Sequence, residues 1–318
     1  MWRLRKLKPM IDMGGVGLPL CRIVDKIFGS SLGKKYQYYI LQKADPEDYP
    51  RLMGDLYQIA TGRRLVLENP RTFNEKVQWM KLYDAIPEKT KLADKYLVRD
   101  WVRDKIGEQY LIPLLGVWDS FDEIDFESLP DAFFLKCNHG SGMNLAVEDK
   151  SKLDIRKTRR QFQEWMETDF AFNSLELHYR GIPRKILAEV YCRAGKGPLS
   201  DYKFFVIQGE PRIVQVIEGR NLEHHTAKSC FLTTDWVPRK ALSHTYLKCD
   251  TVPKKPENLD EMLNIAGKLG EGFRFVRVDL YNLDGEIKFG EMTFTPASGF
   301  AEGNEEEQFL VGSWIHLE

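Results

Sequence analysis

The stretch Phe275-Val-Arg277-Val-Asp279-Leu-Tyr-Asn282-Leu-Asp-Gly285-Glu-Ile-Lys-Phe-Gly-Glu291-Met-Thr293 constrains this chain more than any other. Two runs of alternating apolar and polar residues flank Asn282-Leu-Asp-Gly285, whose composition suits a tight reversal with a residue at positive φ, so a β-hairpin is predicted. Positions 279 and 291 are nearly symmetric about that turn. Asp279 and Glu291 therefore come within a position or two of being cross-strand neighbours, with Arg277 close by. Like charges side by side are costly unless a cation lies between them, and hard oxygen ligands of this kind suit Mg²⁺ carrying a phosphate. A solvated hairpin with chance acids fits the same residues. The hairpin alone does not choose between them.

At 318 residues the chain is long enough for two or three lobes around more than one core. Its 46 basic and 47 acidic residues leave a formal net charge of −1, which gives no reason to expect nucleic acid as a partner. Cys21, Cys137, Cys192, Cys230 and Cys249 are odd in number and contain no CxxC pair. That argues against a disulfide framework and a structural zinc site, and for a reducing cytoplasm. No apolar run approaches the ~20 residues that span a bilayer, and the start lacks the apolar core and cleavage site of a signal peptide. Arg3, Arg5, Lys6 and Lys8 do interleave with Trp2, Leu4 and Leu7. That pattern suits peripheral contact with an anionic membrane surface, and a frayed basic tail explains it as well.

Residues 1–35 are glycine-rich and read as an irregular or short-helical appendage. From 34 to 67, Tyr36, Tyr39, Ile40, Leu52, Leu56 and Ile59 recur at helical spacing and predict packing helices. Thr72-Phe-Asn-Glu75 has the form of a capping box, so a helix should start near Thr72. A second helix is predicted over 91–106, with Lys95 in its first turns and Gly107 as its stop. Residues 110–118 read as a short buried strand interrupted by a proline. Residues 131–148 follow as a strand, a glycine-containing loop and a strand. Gly140 and Gly142 let backbone N–H groups turn toward an anion, with Ser141 and Asn144 as further donors. A plain hairpin turn would explain 139–142 equally well, and the spacing of a P-loop is absent. Lys136 lies in Phe-Phe-Leu-Lys-Cys, where a buried ammonium needs an anionic partner, unless it snorkels from the strand edge to water.

Arg156 to Met166 has the pattern of an amphipathic helix. Strands are predicted at 185–192, 200–209 and 213–217, the first two linked by Gly195-Lys-Gly-Pro198. Asp201 and Lys203 share one strand face by the period of two, as a site pair or as an ordinary ion pair. Residues 219–258 read as loop-rich, and the adjacent His224 and His225 lack a third ligand at metal spacing. They suit a substrate-facing or surface loop. A helix over 258–269 leads into the hairpin.

Together these pieces, in this order, resemble the ATP-grasp superfamily. Residues 67–76, Lys136-Cys-Asn-His-Gly-Ser-Gly142, Asp201-Tyr-Lys203 and Arg277-Val-Asp-Leu-Tyr281 with Gly290-Glu-Met-Thr-Phe-Thr-Pro-Ala-Ser-Gly299 are similar to its TupA-like branch, named for teichuronopeptide biosynthesis. The resemblance covers about 67–300. It implies an α+β ATP-grasp fold, two α+β subdomains with ATP between antiparallel sheets, behind a helical N-terminal extension at 1–66. A pre-ATP-grasp region would span 67–130, the small subdomain with its phosphate flap 131–190, and the large subdomain with the metal hairpin 191–318.

By the same resemblance Lys95 and Lys136 would hold the α- and β-phosphates, and the flap with His139, Gly140, Ser141 and Gly142 would close over the β- and γ-phosphates. The strand at Glu189, Val190 and Cys192 would offer backbone groups to adenine. Asp201 would meet the ribose, and Lys203 the γ-phosphate or the activated carboxylate. Asp279, Glu291 and Thr293 would ligate Mg²⁺. Thr293 stands where the superfamily usually has Asn, which puts a second metal site in question. Arg277 would stabilise charge on the transferred phosphoryl group. Arg220, His225, Lys228, Ser298 and Gly299 would line the acceptor side. The implied chemistry joins a carboxylate to an amine through an acyl phosphate, with a uronic acid-containing sugar or glycan and an amino acid or amino sugar as partners in surface polysaccharide assembly. A sugar or small-molecule kinase would use the same nucleotide site. A glycosyltransferase needs a D-x-D pair and a Rossmann-like start, and the chain has neither.

Overall fold

The computed structural model describes residues 30–192, 200–221 and 226–317. The basic N-terminus, the 195–198 linker, His224, His225 and the Arg220 side chain lie outside what it describes. Helices α1 (Ser30–Lys43) and α2 (Tyr49–Thr61) bury Leu41, Leu52, Met53 and Leu56 against Phe172 and Leu175. Of the residues whose helical spacing predicted the pair, Tyr36, Leu52 and Leu56 are buried, Ile40 and Ile59 pack at the edge of this cluster, and Tyr39 is exposed. Gly62 ends α2 at φ 71°, its N–H returning to the Gln58 carbonyl. Helix α3 (Phe73–Tyr83) starts as the capping box requires: Thr72 Oγ1 accepts from the Glu75 N–H at 3.3 Å, and Glu75 Oε2 accepts from the Thr72 N–H at 2.9 Å.

The single helix expected over 91–106 is two, α4 (Pro87–Ala93) and α5 (Val98–Lys105). Asp94 Oδ1 accepts from the N–H groups of Tyr96 (2.8 Å) and Leu97 (3.2 Å), offering the backbone a local alternative to the helical ladder. Lys95 therefore sits in a turn between helices.

The smaller sheet has the order β1-β4-β2-β3, with β1 Leu114–Trp118, β2 Phe133–Cys137, β3 Asn144–Val147 and β4 Ile186–Val190, all neighbours antiparallel. Strand β1 begins just after Pro113, which has no N–H to give a ladder, and the Pro113 carbonyl accepts from Val190 at 3.1 Å. β1 comes from the 67–130 stretch yet forms an edge of this sheet. Helix α6 (Ile155–Glu167) covers the sheet through Phe162, packed with Phe133, Leu135 and Ile186.

The larger sheet has the order β10-β9-β5-β6-β7-β8. Its strands are β5 Asp201–Ile207, β6 Glu210–Asn221, β7 Thr226–Leu232, β8 Leu247–Lys248, β9 Phe275–Leu283 and β10 Glu286–Thr293, antiparallel except for the short β7–β8 pair. The run Phe204-Phe-Val-Ile207 is buried on both faces by alternation: Phe204 and Val206 join α7 (Leu259–Gly270), while Phe205 and Ile207 join α3 and α8 (Glu305–Trp314). Each buried phenylalanine contributes ~2–3 kcal/mol. The three-layer packing holds β5 and β9 rigidly under the site. The 219–258 stretch, read as loop-rich, contains β7, whose Ala227, Phe231 and Leu232 are buried. Among the described residues no helix is long and apolar enough to cross a membrane.

Candidate functional site

The hairpin forms as its turn chemistry predicts. Asp284 and Gly285 take φ of 53° and 102°, and the Gly285 N–H donates to Asn282 Oδ1 at 2.8 Å. A bulge between Phe289 and Glu291 then sets Glu291 opposite Asp279 and Thr293 opposite Arg277. Gly290 makes the bulge fit, since a Cβ there would lie 3.1 Å from the Asp279 carbonyl oxygen. On the other side of β9, β5 places Lys203 beside Asp279. Three neighbouring strands thus bring two acids and two cations to one patch.

The contacts are close. Arg277 Nε donates to Asp279 Oδ1 at 2.6 Å, and Nη2 donates to Asp279 Oδ2 at 2.7 Å, Glu291 Oε1 at 3.0 Å and Thr293 Oγ1 at 3.0 Å. Thr293 in turn donates to Glu291 at 2.9 Å. Lys203 donates to Asp279 and lies 3.9 Å from Asp201. Asp279, Lys203 and Asp201 are all buried, which excludes the solvated-hairpin reading. Burial alone would lower the affinity of Arg277 for its proton, but Asp279 and Glu291 hold it above the usual value. Desolvation would raise the Glu291 carboxyl, and the charges of Lys95, Arg277 and Lys203 with the Thr293 hydroxyl bring it down to about 2.

The smaller sheet answers this patch with cations. Lys136 is buried and pairs with Glu189 Oε2 at 2.6 Å across β2–β4, so it does not snorkel. Arg99 of α5 meets the other oxygen, Oε1, at 3.3 Å. The expected anionic partner of Lys136 is therefore Glu189, whose side chain is fully engaged. Lys95 is tied to the flap twice, its N–H donating to the Asn138 carbonyl at 3.1 Å and its ammonium to the Gly140 carbonyl. Burial lowers the Lys95 pKa, Glu291 opposes that, and Lys136 adds to it. Lys95 thus stands in the field of Lys136 on its own half and of Glu291 on the other. A cavity of about 10 Å³, room for about one water, separates Lys95 from Tyr179 and Glu291.

The β2–β3 flap loop has Gly142 at φ 74°, with Ser141 and Asn144 exposed. Gly140 packs under Phe170, and a Cβ there would come within 2.7 Å of its ring. His139 is buried and its Nε2 lies 3.0 Å from the Trp165 carbonyl, so its side chain anchors the loop to α6. Val190 is exposed at the end of β4, and the Cys192 thiol donates to its carbonyl at 3.7 Å. Lys228 is not brought into the cluster: it pairs on the surface with Asp250. Ser298 and Gly299 pack on α3 beside a buried carboxylate, Glu176.

Asp279 and Glu291 both accept from Arg277 Nη2, so the two carboxylates lie side by side around the guanidinium, and hard carboxylates suit Mg²⁺. Among the described residues no three Asp, Glu, His or Cys side chains converge to form a metal cage. A Mg²⁺ here would take two carboxylates and complete its shell with phosphate and water oxygens, the mode of a nucleotide-borne ion. Thr293 is already bonded to Glu291 and Arg277.

Sequence reasoning missed Arg99, Gln78, Lys81, Glu176 and Tyr179. Gln78 and Lys81 carried one signal: they lie three apart on α3 beside Val77 and Met80, and both are fully buried. Glu176 and Tyr179 come from short turns over 170–182 that have no periodicity to read.

A model of the TupA-like ATPgrasp family matches residues 75–315. A search of curated proteins by sequence gave no match. Among solved structures, D-alanine–D-alanine ligase from Bacillus anthracis complexed with ATP is similar at 12% identity and a TM-score of 0.39, over 70% of this chain and 63% of that one. The ATP-grasp ligase PsnB complexed with minimal precursor, Mg and ADP is similar at 12% identity and 0.35, over 70% and 57%. The Helicobacter pylori D-alanine–D-alanine ligase is similar at 12% identity and 0.41, over 77% and 69%. The chain thus spans less than two-thirds of the length of the first two.

Proposed function

Because the chain belongs to the TupA-like ATP-grasp family, we propose that it is an ATP- and Mg²⁺-dependent ligase that joins a carboxylate to an amine through an acyl phosphate. The observation that carries this reading is the arrangement around Arg277: one guanidinium bridges Asp279 and Glu291, Lys203 stands on the adjoining strand, and Lys95 faces Glu291 from the other half. Asp279 and Glu291 would hold Mg²⁺, which when bound would neutralise charge at the terminal phosphates. Lys95 and Lys136 hold phosphate oxygens, and the exposed end of the Gly140–Gly142 loop offers N–H donors above them. A carboxylate oxygen of the substrate attacks the γ-phosphorus and ADP leaves. The amine then attacks the acyl carbon and inorganic phosphate leaves. Arg277, charged throughout and pre-oriented by its two carboxylates, lowers the cost of negative charge on the transferred group. Lys203 orients the carboxylate or the γ-phosphate, and Asp201 the ribose.

The finer reading places the reaction in surface polysaccharide assembly, with a uronic acid-containing sugar or glycan as the carboxylate and an amino acid or amino sugar as the amine. Family analogy supports it. Incubation with ATP, Mg²⁺ and panels of uronic acids and amines, followed by mass spectrometry, should yield ADP, phosphate and an amide. AMP with pyrophosphate would refute the acyl-phosphate step, and a phosphate ester without need of an amine would make the protein a kinase.

A further inference from the structure

Six non-glycine residues among those described have left-handed backbone, and three of them surround one carboxylate: Leu175 (φ 57°), Ala297 (49°) and Ser298 (54°). Gly299 continues the turn at 67°. Each such residue costs ~1–3 kcal/mol, and the conformation persists only where the surroundings over-determine it. Here they do. Glu176 Oε1 accepts from Ser174 Oγ and from Ser298 Oγ, both at 2.7 Å, and Oε2 accepts from Thr295 Oγ1. From α3, Gln78 Nε2 donates to the carbonyls of Ser298 (3.0 Å) and Gly299 (2.7 Å). Lys81 Nζ donates to the Ser298 carbonyl at 3.1 Å and to Gln78 Oε1 at 2.9 Å, with the Phe300 ring 4.4 Å away. Glu176, Gln78 and Lys81 are buried, and none takes part in the phosphate and metal cluster.

The node adjoins the Arg277–Glu291 patch. The turn leaves β10 just after Thr293, and Tyr179, three residues beyond Glu176, lines the cavity with Lys95 and Glu291. Gly299 is pressed against α3 so closely that a Cβ would lie 2.4 Å from Gln78 Nε2. Two strained segments are therefore locked to each other and to α3 beside the phosphoryl-transfer patch. Only the Ala297 side of the turn stays exposed.

We propose that Gln78, Lys81 and Glu176 are positioning residues that hold the 297–299 turn as a fixed wall for the non-nucleotide substrate of the ligase reaction. This rests on the ligase reading above. Helix α3 then acts as part of the acceptor side of the site, although it lies outside the nucleotide-binding sheets. The wall is rigid before substrate arrives, so its contribution is to reduce the ordering needed on binding.

The test uses the full chain. Gln78→Ala should raise KM for the uronic acid or amine that supports turnover about tenfold, with KM for ATP within about twofold. Adding Ala297→Gly, which removes one left-handed penalty without touching the bonded side chains, should recover most of the loss. Equal rises in both KM values, or no rescue, would overturn the proposal. Hydrogen exchange needs no substrate: the amides of 297–300 should exchange about tenfold faster in Gln78→Ala than in wild type, and unchanged protection would also overturn it. Lys81→Gln gives the same comparison should Gln78→Ala not fold. If no pair in the panel turns over, the ligase reading fails, while the exchange result still decides the brace.

Discussion

Replacing Lys81 by Met should remove a pH dependence of stability that can be worked out from burial. Lys81 is fully buried, and desolvation lowers its pKa from 10.5 to about 7, with Glu176 as the opposing charge. The unfolded chain keeps that proton up to about pH 10.5, the folded chain only to about 7. Between those values unfolding takes up a proton, so the wild type becomes more stable as pH rises, by at most ~1.4 kcal/mol per pH unit. Integrated from pH 7.5 to 9.5 the gain is ~2.5 kcal/mol. Lys81→Met lacks this term, and it leaves Glu176 with its three hydroxyl donors and Ser298 O with Gln78. Urea unfolding of both proteins at the two pH values measures the difference. The stability of the variant relative to wild type should fall by ~2.5 kcal/mol between pH 7.5 and 9.5. Other titrations, such as the Lys89 ammonium lowered by burial and the Cys137 thiol raised by it, act in both proteins and cancel. A difference that stays constant over this range would refute the assignment of a buried, readily deprotonated lysine.

Asp279→Asn combined with Glu291→Gln should abolish Mg²⁺-dependent ADP formation while far-ultraviolet circular dichroism stays native, and full retained activity would remove the metal assignment. Lys136→Met leaves Glu189 with Arg99 alone at 3.3 Å. It should cost ~1–3 kcal/mol in thermal unfolding and weaken ATP binding about tenfold by calorimetry. Gly299→Ala places a Cβ 2.4 Å from Gln78 Nε2 at a φ of 67° and should cost more than ~1 kcal/mol in urea unfolding. Cys137 is fully buried with its thiol pushed up to about 12, so a thiol-specific disulfide reagent at pH 8 should modify the half-buried Cys192 and spare Cys137 until the protein unfolds.

Local chemistry by itself determined much of this protein. The alternation around Asn282-Leu-Asp-Gly285 sufficed for the hairpin, because a period of two and a positive-φ turn are properties of a few adjacent residues. The capping box at Thr72 and the need of Lys136 for an anion were legible for the same reason. Where a nearby polar side chain competed with the backbone, periodicity failed, and Asp94 split one expected helix into two. Strand β7 hid in a stretch whose polar residues suggested loops, since its place in the sheet depends on β6 as a partner.

Tertiary structure alone decided the rest. Which acid answers Lys136 and that Arg99 joins them depend on β2, β4 and α5 coming together, and that Lys95 lowers Glu291 depends on the two halves meeting. Glu176 meets Thr295 and Ser298 across more than a hundred residues of chain, and Gln78 and Lys81 reach the same turn from more than two hundred residues away. No periodicity marks Glu176, because a buried carboxylate is defined by the donors that surround it and not by its neighbours in sequence.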